Sequence, residues 1–221
     1  ILLHAENDFL TLAATDLEVS LTGGCESEVE ESGGITVSAK KIFEVVRSLT
    51  DEKISFILTD GNWLEITSGN SFFRLVGLSP DDFPEVPKSS FSKAEKVSHS
   101  LFSDLISRTI FAVTKEDTRY ALNGALLEID SQVIRMVATD AHRLALVEEA
   151  FSGAAEVKAI VPKKTLSELR NLGTGEEMLF AQDKNHLFFK VGHRVLASRV
   201  IEGQFPAYEK VIPPQNPLTV I

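Results

Sequence analysis

Short runs of β-branched and aromatic residues, broken by polar and glycine-containing turns, dominate the pattern along the chain. Phe9-Leu10-Thr11-Leu12-Ala13-Ala14 and Val133-Ile134-Arg135-Met136-Val137 read as strands. The same pattern predicts strands at Ile54–Leu58, Trp63–Thr67, Phe72–Gly77, Leu187–Val191 and Val195–Ile201. Elsewhere the apolar positions repeat with the period of a helix. Lys40 to Leu49 puts Ile42, Val45, Val46 and Leu49 on one face, with Ser38 placed to cap the first turn. Lys163 to Leu172 does the same with Leu166, Leu169 and Leu172, and is opened by Pro162. Phe102 to Val113 predicts a further helix with Phe102, Leu105, Thr109 and Ile110 inward. Sheet carrying one or two helices on one side is an α+β fold.

The pattern occurs twice. Ala14-Thr15-Asp16 recurs as Ala138-Thr139-Asp140, 124 positions on, and alternating apolar residues precede both. Val37-Ser38-Ala39-Lys40-Lys41 falls beside Val161-Pro162-Lys163-Lys164-Thr165 at nearly the same offset. Asp60-Gly61-Asn62-Trp63-Leu64 faces Asp183-Lys184-Asn185-His186-Leu187 at an offset of 123, and Phe83-Pro84 faces Phe205-Pro206 at 122. Landmarks in one order, drifting only between elements, predict a duplicated domain whose loops absorbed small deletions. The first copy takes residues 1–90 and the second 91–213, with a Pro- and Ser-containing linker at Glu85–Lys93. The second copy has an opening part, Val97 to Ala125, without a counterpart in the first. The first copy is therefore expected to lack an initial strand and helix of about 30 residues, and the chain, starting at Ile1, to be a piece of something longer.

Composition sharpens the functional reading. The 221 residues are 43% hydrophobic and 24% charged, ordinary for a folded protein with a sizeable core. No apolar run approaches the roughly 18 residues of a membrane span, and no leader pattern opens the chain. The single cysteine, Cys25, fits a reducing cytoplasm. The formal net charge of −10 argues against a surface coated for nucleic acid, so any DNA contact has to come from a local concentration of cations.

Two helices supply such a concentration where helices normally avoid it. A helix N-terminus carries partial positive charge and favours acids in its first turn. Both repeated helices open instead on paired lysines, Lys40-Lys41 and Lys163-Lys164. Dipole, free N–H groups and ammonium charge converge there on a site suited to phosphate. Arg47 and Arg170, each seven residues after the first lysine, extend the two stripes, and Arg108 adds to them from the third helix. Contact of this kind is with the backbone and independent of sequence. A solvated helix face is the plain alternative for either stripe alone.

Differences between the copies point to a second site. Thr15-Asp16 and Thr139-Asp140 are shared, and read as turns whose side chains satisfy local backbone groups. After them the first copy continues Leu17-Glu18-Val19 and the second Ala141-His142-Arg143-Leu144. Leu144, with Leu122, Pro206 and Val211, is expected to form an apolar surface pocket rimmed by His142, Arg143 and Lys210, suited to a side chain of a bound peptide. Ordinary core leucines are the competing explanation. Asp140 and His142 also suggest a metal or acid–base pair, but no further ligand stands at useful spacing, and no nucleophile or phosphate loop accompanies them. No cofactor, metal or catalytic residue is expected.

At these residues the chain resembles the bacterial sliding clamp, the β subunit of DNA polymerase III. The resemblance rests on Thr15-Asp16-Leu17-Glu18, Asp82-Phe83-Pro84, Arg119-Tyr120-Ala121-Leu122-Asn123-Gly124, Ala138-Thr139-Asp140-Ala141-His142-Arg143-Leu144, Ile160-Val161-Pro162-Lys163-Lys164 and Gly203-Gln204-Phe205-Pro206-Ala207-Tyr208. It implies tandem clamp domains with sheets outside and helices lining a DNA-facing surface, in a cytoplasmic, nucleoid-associated protein. It further implies a head-to-tail homodimer ring around double-stranded DNA, and short linear motifs of polymerase subunits, the clamp loader and repair proteins as peptide partners. Residues 214–221 would begin the connection to a third domain. Implied pocket positions are Leu122, Thr139, Ala141, His142, Arg143, Leu144, Pro206, Lys210 and Val211. Ala141 stands where the family often has glycine, and Lys210 where it often has arginine. Implied DNA-facing positions are Lys40, Lys41, Arg47, Arg108, Lys163, Lys164 and Arg170, while Glu116 departs from the neutral residue expected in its loop. A peptide-binding scaffold without a DNA role, and a small hydrolase using Asp140 and His142, are the other function classes considered.

Overall fold

A computed structural model describes residues 1–114, 120–154, 156–173 and 177–213; Glu116, Arg119 and the 214–221 connection lie outside the described residues. In chain order the first copy runs β1 (Leu2–Glu6), β2 (Phe9–Thr15), β3 (Val19–Glu26), β4 (Gly33–Thr36), α1 (Ala39–Ser48), β5 (Ser55–Thr59), β6 (Trp63–Ser68) and β7 (Ser71–Val76). The second runs β8 (Glu95–Ser98), α2 (His99–Thr109), β9 (Gly124–Ile129), β10 (Val133–Thr139), β11 (Leu144–Ala150), β12 (Val157–Pro162), α3 (Lys163–Arg170), β13 (Glu177–Gln182), β14 (His186–Val191) and β15 (Arg194–Arg199). The duplication is visible element by element, since β2 and β10, and likewise the starts of α1 and α3, are offset by the same 124 positions as the repeated motifs.

The chain forms two compact units, one of residues 1–90 with 188–197 and the other of 91–187 with 198–221. In the first, the strand order is β4-β1-β2-β3 continued by β15 and β14, beside a separate sheet β5-β6-β7. β1 and β2 meet through Asn7 and Asp8, both with positive φ (52° and 56°), the backbone that a two-residue hairpin turn demands. The unit's core gathers Leu3, Ile35, Val37, Ile42, Leu64 and Ile66. α1 delivers Ile42 to it, with Val45 and Leu49 half-buried, and the Ser38 Oγ accepts the Lys41 N–H as predicted. Val46, expected on the same face, is exposed.

The second unit carries the sheet β11-β10-β9-β12, and β8 pairs with β13. α2 starts three residues before the predicted Phe102, because Ser98 caps it by accepting the Leu101 N–H at 3.3 Å. It buries His99, Phe102, Leu105, Ile106 and Thr109, then tightens into a 3-10 turn at Ile110–Ala112. Ile106 was absent from the predicted inner face and has no exposed surface, whereas Ile110 is half-buried. α3 buries Leu166 and Leu169, with Leu172 buried just beyond its end. The two helices are tied by the buried His99, whose Nε2 lies 2.8 Å from the Leu169 carbonyl oxygen.

Strands β3, β4, β8, β9, β11, β12 and β13 are not among those the sequence predicts. Gly23-Gly24 and Gly33-Gly34 make β3 and β4 look like turns. The reason for Gly24 is tertiary: a Cβ there would stand 2.3 Å from the Leu10 carbonyl oxygen and 2.4 Å from the Phe9 ring.

Candidate functional site

The turn after β10 is built as its composition suggested. Thr139 Oγ1 donates to the Arg143 carbonyl oxygen (2.7 Å) and accepts the Ala141 N–H (3.1 Å). Asp140 Oδ1 accepts the N–H groups of His142 and Arg143, each at 3.0 Å. The first copy repeats the scheme: Thr15 donates to the Val19 carbonyl oxygen, and Asp16 accepts from Glu18 and Val19. Leu17 and Ala141 occupy equivalent left-handed positions, at φ 77° and 73°. These bonds, the His142 N–H foremost, hold the Asp140 carboxyl below the ordinary carboxylate range. Asp140 is thus committed to the turn, and among the described residues no cluster of three or more His, Cys, Asp or Glu is arranged to hold a metal.

The turn leaves Ala141, His142 and Arg143 exposed and sends Leu144 inward. The Arg143 guanidinium is fixed rather than loose: Nε donates to Asp140 Oδ2 (2.9 Å), one terminal nitrogen donates to the Phe111 carbonyl oxygen (2.9 Å), and its Cζ lies 5.5 Å from the Phe111 ring centre. Leu144 packs half-buried against Leu126, Val137, Ile160, Ile201 and Tyr208. Phe205 and Ala121 join the same cluster, so the Pro206–Val211 segment and the Leu122 region are brought to Leu144 by one patch of core. Leu122 and Thr139 are each only 7% exposed. Pro206, Lys210 and Val211 are exposed, Val211 by 69%.

Beneath the segment lies a polar arrangement that the sequence reading missed. Strand register aligns Glu148, Arg135, Glu128 and Lys158 in one row across β11, β10, β9 and β12. Arg135 pairs with Glu148 and, at 3.3 Å, with Glu128, while Lys158 Nζ reaches Glu128 at 2.7 Å. The Tyr208 hydroxyl donates to Glu128 Oε2 at 2.6 Å. Burial, and then this bond to a carboxylate, push the Tyr208 phenol up to about 12. Burial raises the Glu128 carboxyl too, yet hydrogen bonds from Lys158, Tyr208 and Arg135 outweigh it and keep the carboxyl below the ordinary range. The alternation of sign was readable only once strand register was known.

The basic positions divide by environment. On α1, Lys40, Lys41 and Arg47 are all exposed, and no acid stands in the first turn. Glu44 and the exposed Phe43 lie among them. On α3, Lys164 and Arg170 are exposed, again with no first-turn acid. Lys163 is half-buried, and its Nζ donates to the Val113 carbonyl oxygen at 3.1 Å, so part of its hydrogen-bonding capacity is taken up within the fold. Arg108 faces two carboxylates, Asp104 at 3.0 Å and Glu149 at 3.3 Å, which offset its charge locally.

Comparison with known proteins agrees with this organisation. Residues 1–87 match the family model of the DNA polymerase III beta subunit N-terminal domain, and 96–207 that of its central domain. The beta sliding clamp of Vibrio cholerae serotype O1 is 36% identical over 225 residues, covering 100% of this chain and 61% of its own length. That of Pseudomonas putida is 36% identical, covering 96% of this chain and 59% of its own. Among solved structures, the Caulobacter crescentus DNA polymerase sliding clamp superposes with a TM-score of 0.91 at 37% identity, covering 97% of this chain and 60% of that one. A Pseudomonas aeruginosa clamp bound to griselimycin gives 0.90 at 35%, covering 98% and 60%. The chain therefore spans about three fifths of the length of the relatives it matches. With both domain models matched in order and nearly the whole chain covered, the protein belongs to the DNA polymerase III beta subunit family.

Proposed function

We propose that the chain forms the first two domains, residues 1–90 and 91–213, of a sliding clamp that encircles duplex DNA and tethers polymerases through a peptide pocket. The observation that carries the DNA half is the recurrence of exposed lysines at acid-free helix starts in both copies of a chain whose net charge is −10. Such a protein draws phosphates to its helices and repels them elsewhere. Contact with phosphate alone permits sliding, and retention then comes from ring closure rather than from affinity. In this reading the protein is a non-catalytic accessory subunit acting in the cytoplasm at the nucleoid.

The pocket half rests on Leu144, Pro206 and Val211 with His142, Arg143 and Lys210 around them. Apolar walls and a basic rim favour a short peptide with apolar side chains and an acid, as offered by polymerase subunits, the clamp loader and repair proteins. Self-association is supported by β7, an outer strand of its three-stranded sheet with Phe72 60% and Val76 57% exposed. An apolar edge of this kind invites pairing with another chain, as a head-to-tail dimer would supply.

The deciding experiment is retention on circular primed DNA of the protein carrying Lys40→Glu, Lys41→Glu and Lys164→Glu. Loss of retention with an unchanged circular dichroism spectrum is expected. Wild-type retention at moderate salt would reject the DNA role.

A further inference from the structure

Residues 202–213 carry the pocket positions Pro206, Lys210 and Val211, yet almost all of the segment is solvent-exposed. Tyr208 alone is buried, at 4% exposure, with Phe205 half-buried. Local hydrogen bonds shape the turn around it: the Tyr208 N–H to the Pro206 carbonyl oxygen, Lys210 N–H to Ala207 and Val211 N–H to Tyr208. Such short-range bonds give the segment its curvature, but they do not set where it lies on the sheet.

That position depends on the Tyr208 side chain, which is held at both ends. Its ring lies in the cluster of Leu126, Val137, Ile160 and Ile201, against which Leu144 also packs. Its hydroxyl meets Glu128 at 2.6 Å, the length of a charge-assisted bond, and Arg135 lies 3.4 Å away. Apolar packing alone is non-directional and would tolerate sliding of the ring. A bond to a carboxylate that is itself held by Arg135 and Lys158 is directional and fixes the register of the turn.

We infer that Tyr208 is a positioning residue for the peptide pocket: its hydroxyl, docked on the Glu128–Arg135–Lys158 row, holds Pro206, Lys210 and Val211 in place relative to Leu144. The inference rests on the pocket reading given above. It assigns to an outer-sheet charge row, which no pocket position includes, control over how tightly a peptide is held. A wall held in its binding-competent place needs no ordering when the ligand arrives, which is where affinity is gained.

The test uses a fluorescein-labelled hexapeptide with one aspartate and a C-terminal pair of leucines, followed by anisotropy at 25 °C. Tyr208→Phe keeps the ring and removes only the hydroxyl. Its affinity is expected to fall about tenfold, equivalent to ~1.4 kcal/mol, and amide exchange at Lys210 and Val211 to quicken while that at Leu126 and Val137 stays slow. Glu128→Gln, which keeps the shape of the acceptor and loses its charge, is expected to weaken binding in the same sense. The double variant should be less than additive, since both changes break one interaction. A Tyr208→Phe protein that melts lower but binds within twofold of wild type overturns the inference, because a purely structural residue has no effect on affinity while the fold is intact. If Tyr208→Phe fails to fold, Glu128→Gln decides by the same two readouts. Leu144→Ala separates the two levels: weakened binding there with unchanged binding in Tyr208→Phe rejects the positioning role alone, while wild-type binding in Leu144→Ala rejects the pocket itself and the positioning role with it.

Discussion

Val211 allows binding to be perturbed without perturbing the fold. It is 69% exposed, so Val211→Ala removes little packing and should change stability by less than about 0.5 kcal/mol. The two lost methyl groups are worth ~0.8 kcal/mol each when a ligand covers them, and scaling by the 69% available to a ligand leaves about 1 kcal/mol. Peptide affinity should therefore fall about five- to sevenfold. The opposite case is Leu122, which is 7% exposed; Leu122→Ala should cost about 2–5 kcal/mol of stability. Anisotropy titration with the labelled hexapeptide, beside a thermal melt of each variant, separates the two effects. Affinity within twofold of wild type for Val211→Ala, or a melting point lowered as much as by Leu122→Ala, would refute the assignment of Val211 to the pocket surface.

Other consequences follow from the turn and the charge row. Ala141→Gly relieves a left-handed backbone at φ 73° and should stabilise the protein by about 0.5 kcal/mol, since the relief of ~1–2 exceeds the added chain entropy of ~0.4–1, as chemical denaturation would register. The Glu128 carboxyl is held below its ordinary range, so its contribution is present above the unfolded value near 4.5 and lost as pH falls through the folded one; Glu128→Gln should flatten the melting-point decline below about pH 5. The Tyr208 phenol is raised from about 10 to about 12, so its contribution is complete below pH 10 and lost on the way to 12; Tyr208→Phe should lack that alkaline decline. Ile66 has no exposed surface in the first unit's core, and Ile66→Ala should cost about 2–5 kcal/mol by denaturant titration.

What could be read from the sequence was local. The Ser38 cap, the inward Ile42, and the paired Thr-Asp turns depend on residues within a few positions of one another, and the structure contains them as predicted. The internal repeat extended that reach, because each copy served as a check on the other. Long-range contacts escaped. Gly24 looks like a strand breaker until the Phe9 ring and Leu10 carbonyl are seen against it. His99 gives no sign in sequence that it reaches Leu169, 70 positions on. Arg108 and Lys163, expected on the DNA-facing stripes, have partners that only the fold supplies, namely Glu149 for the first and the Val113 carbonyl for the second. In sequence Tyr208 stands out only as part of a motif, since its partner Glu128 is 80 positions away.

Phosphate contact by exposed lysines at the two equivalent helix starts is measured most directly by the salt dependence of duplex binding. Each lost contact should lower the slope of log affinity against log salt by about 0.9, so Lys40→Gln, Lys41→Gln and Lys164→Gln together should lower it by about 2.7. Arg108→Gln, removing a cation already faced by Asp104 and Glu149, should leave the slope almost unchanged. A triple variant with the wild-type slope, or an Arg108 variant with the larger loss, would contradict it.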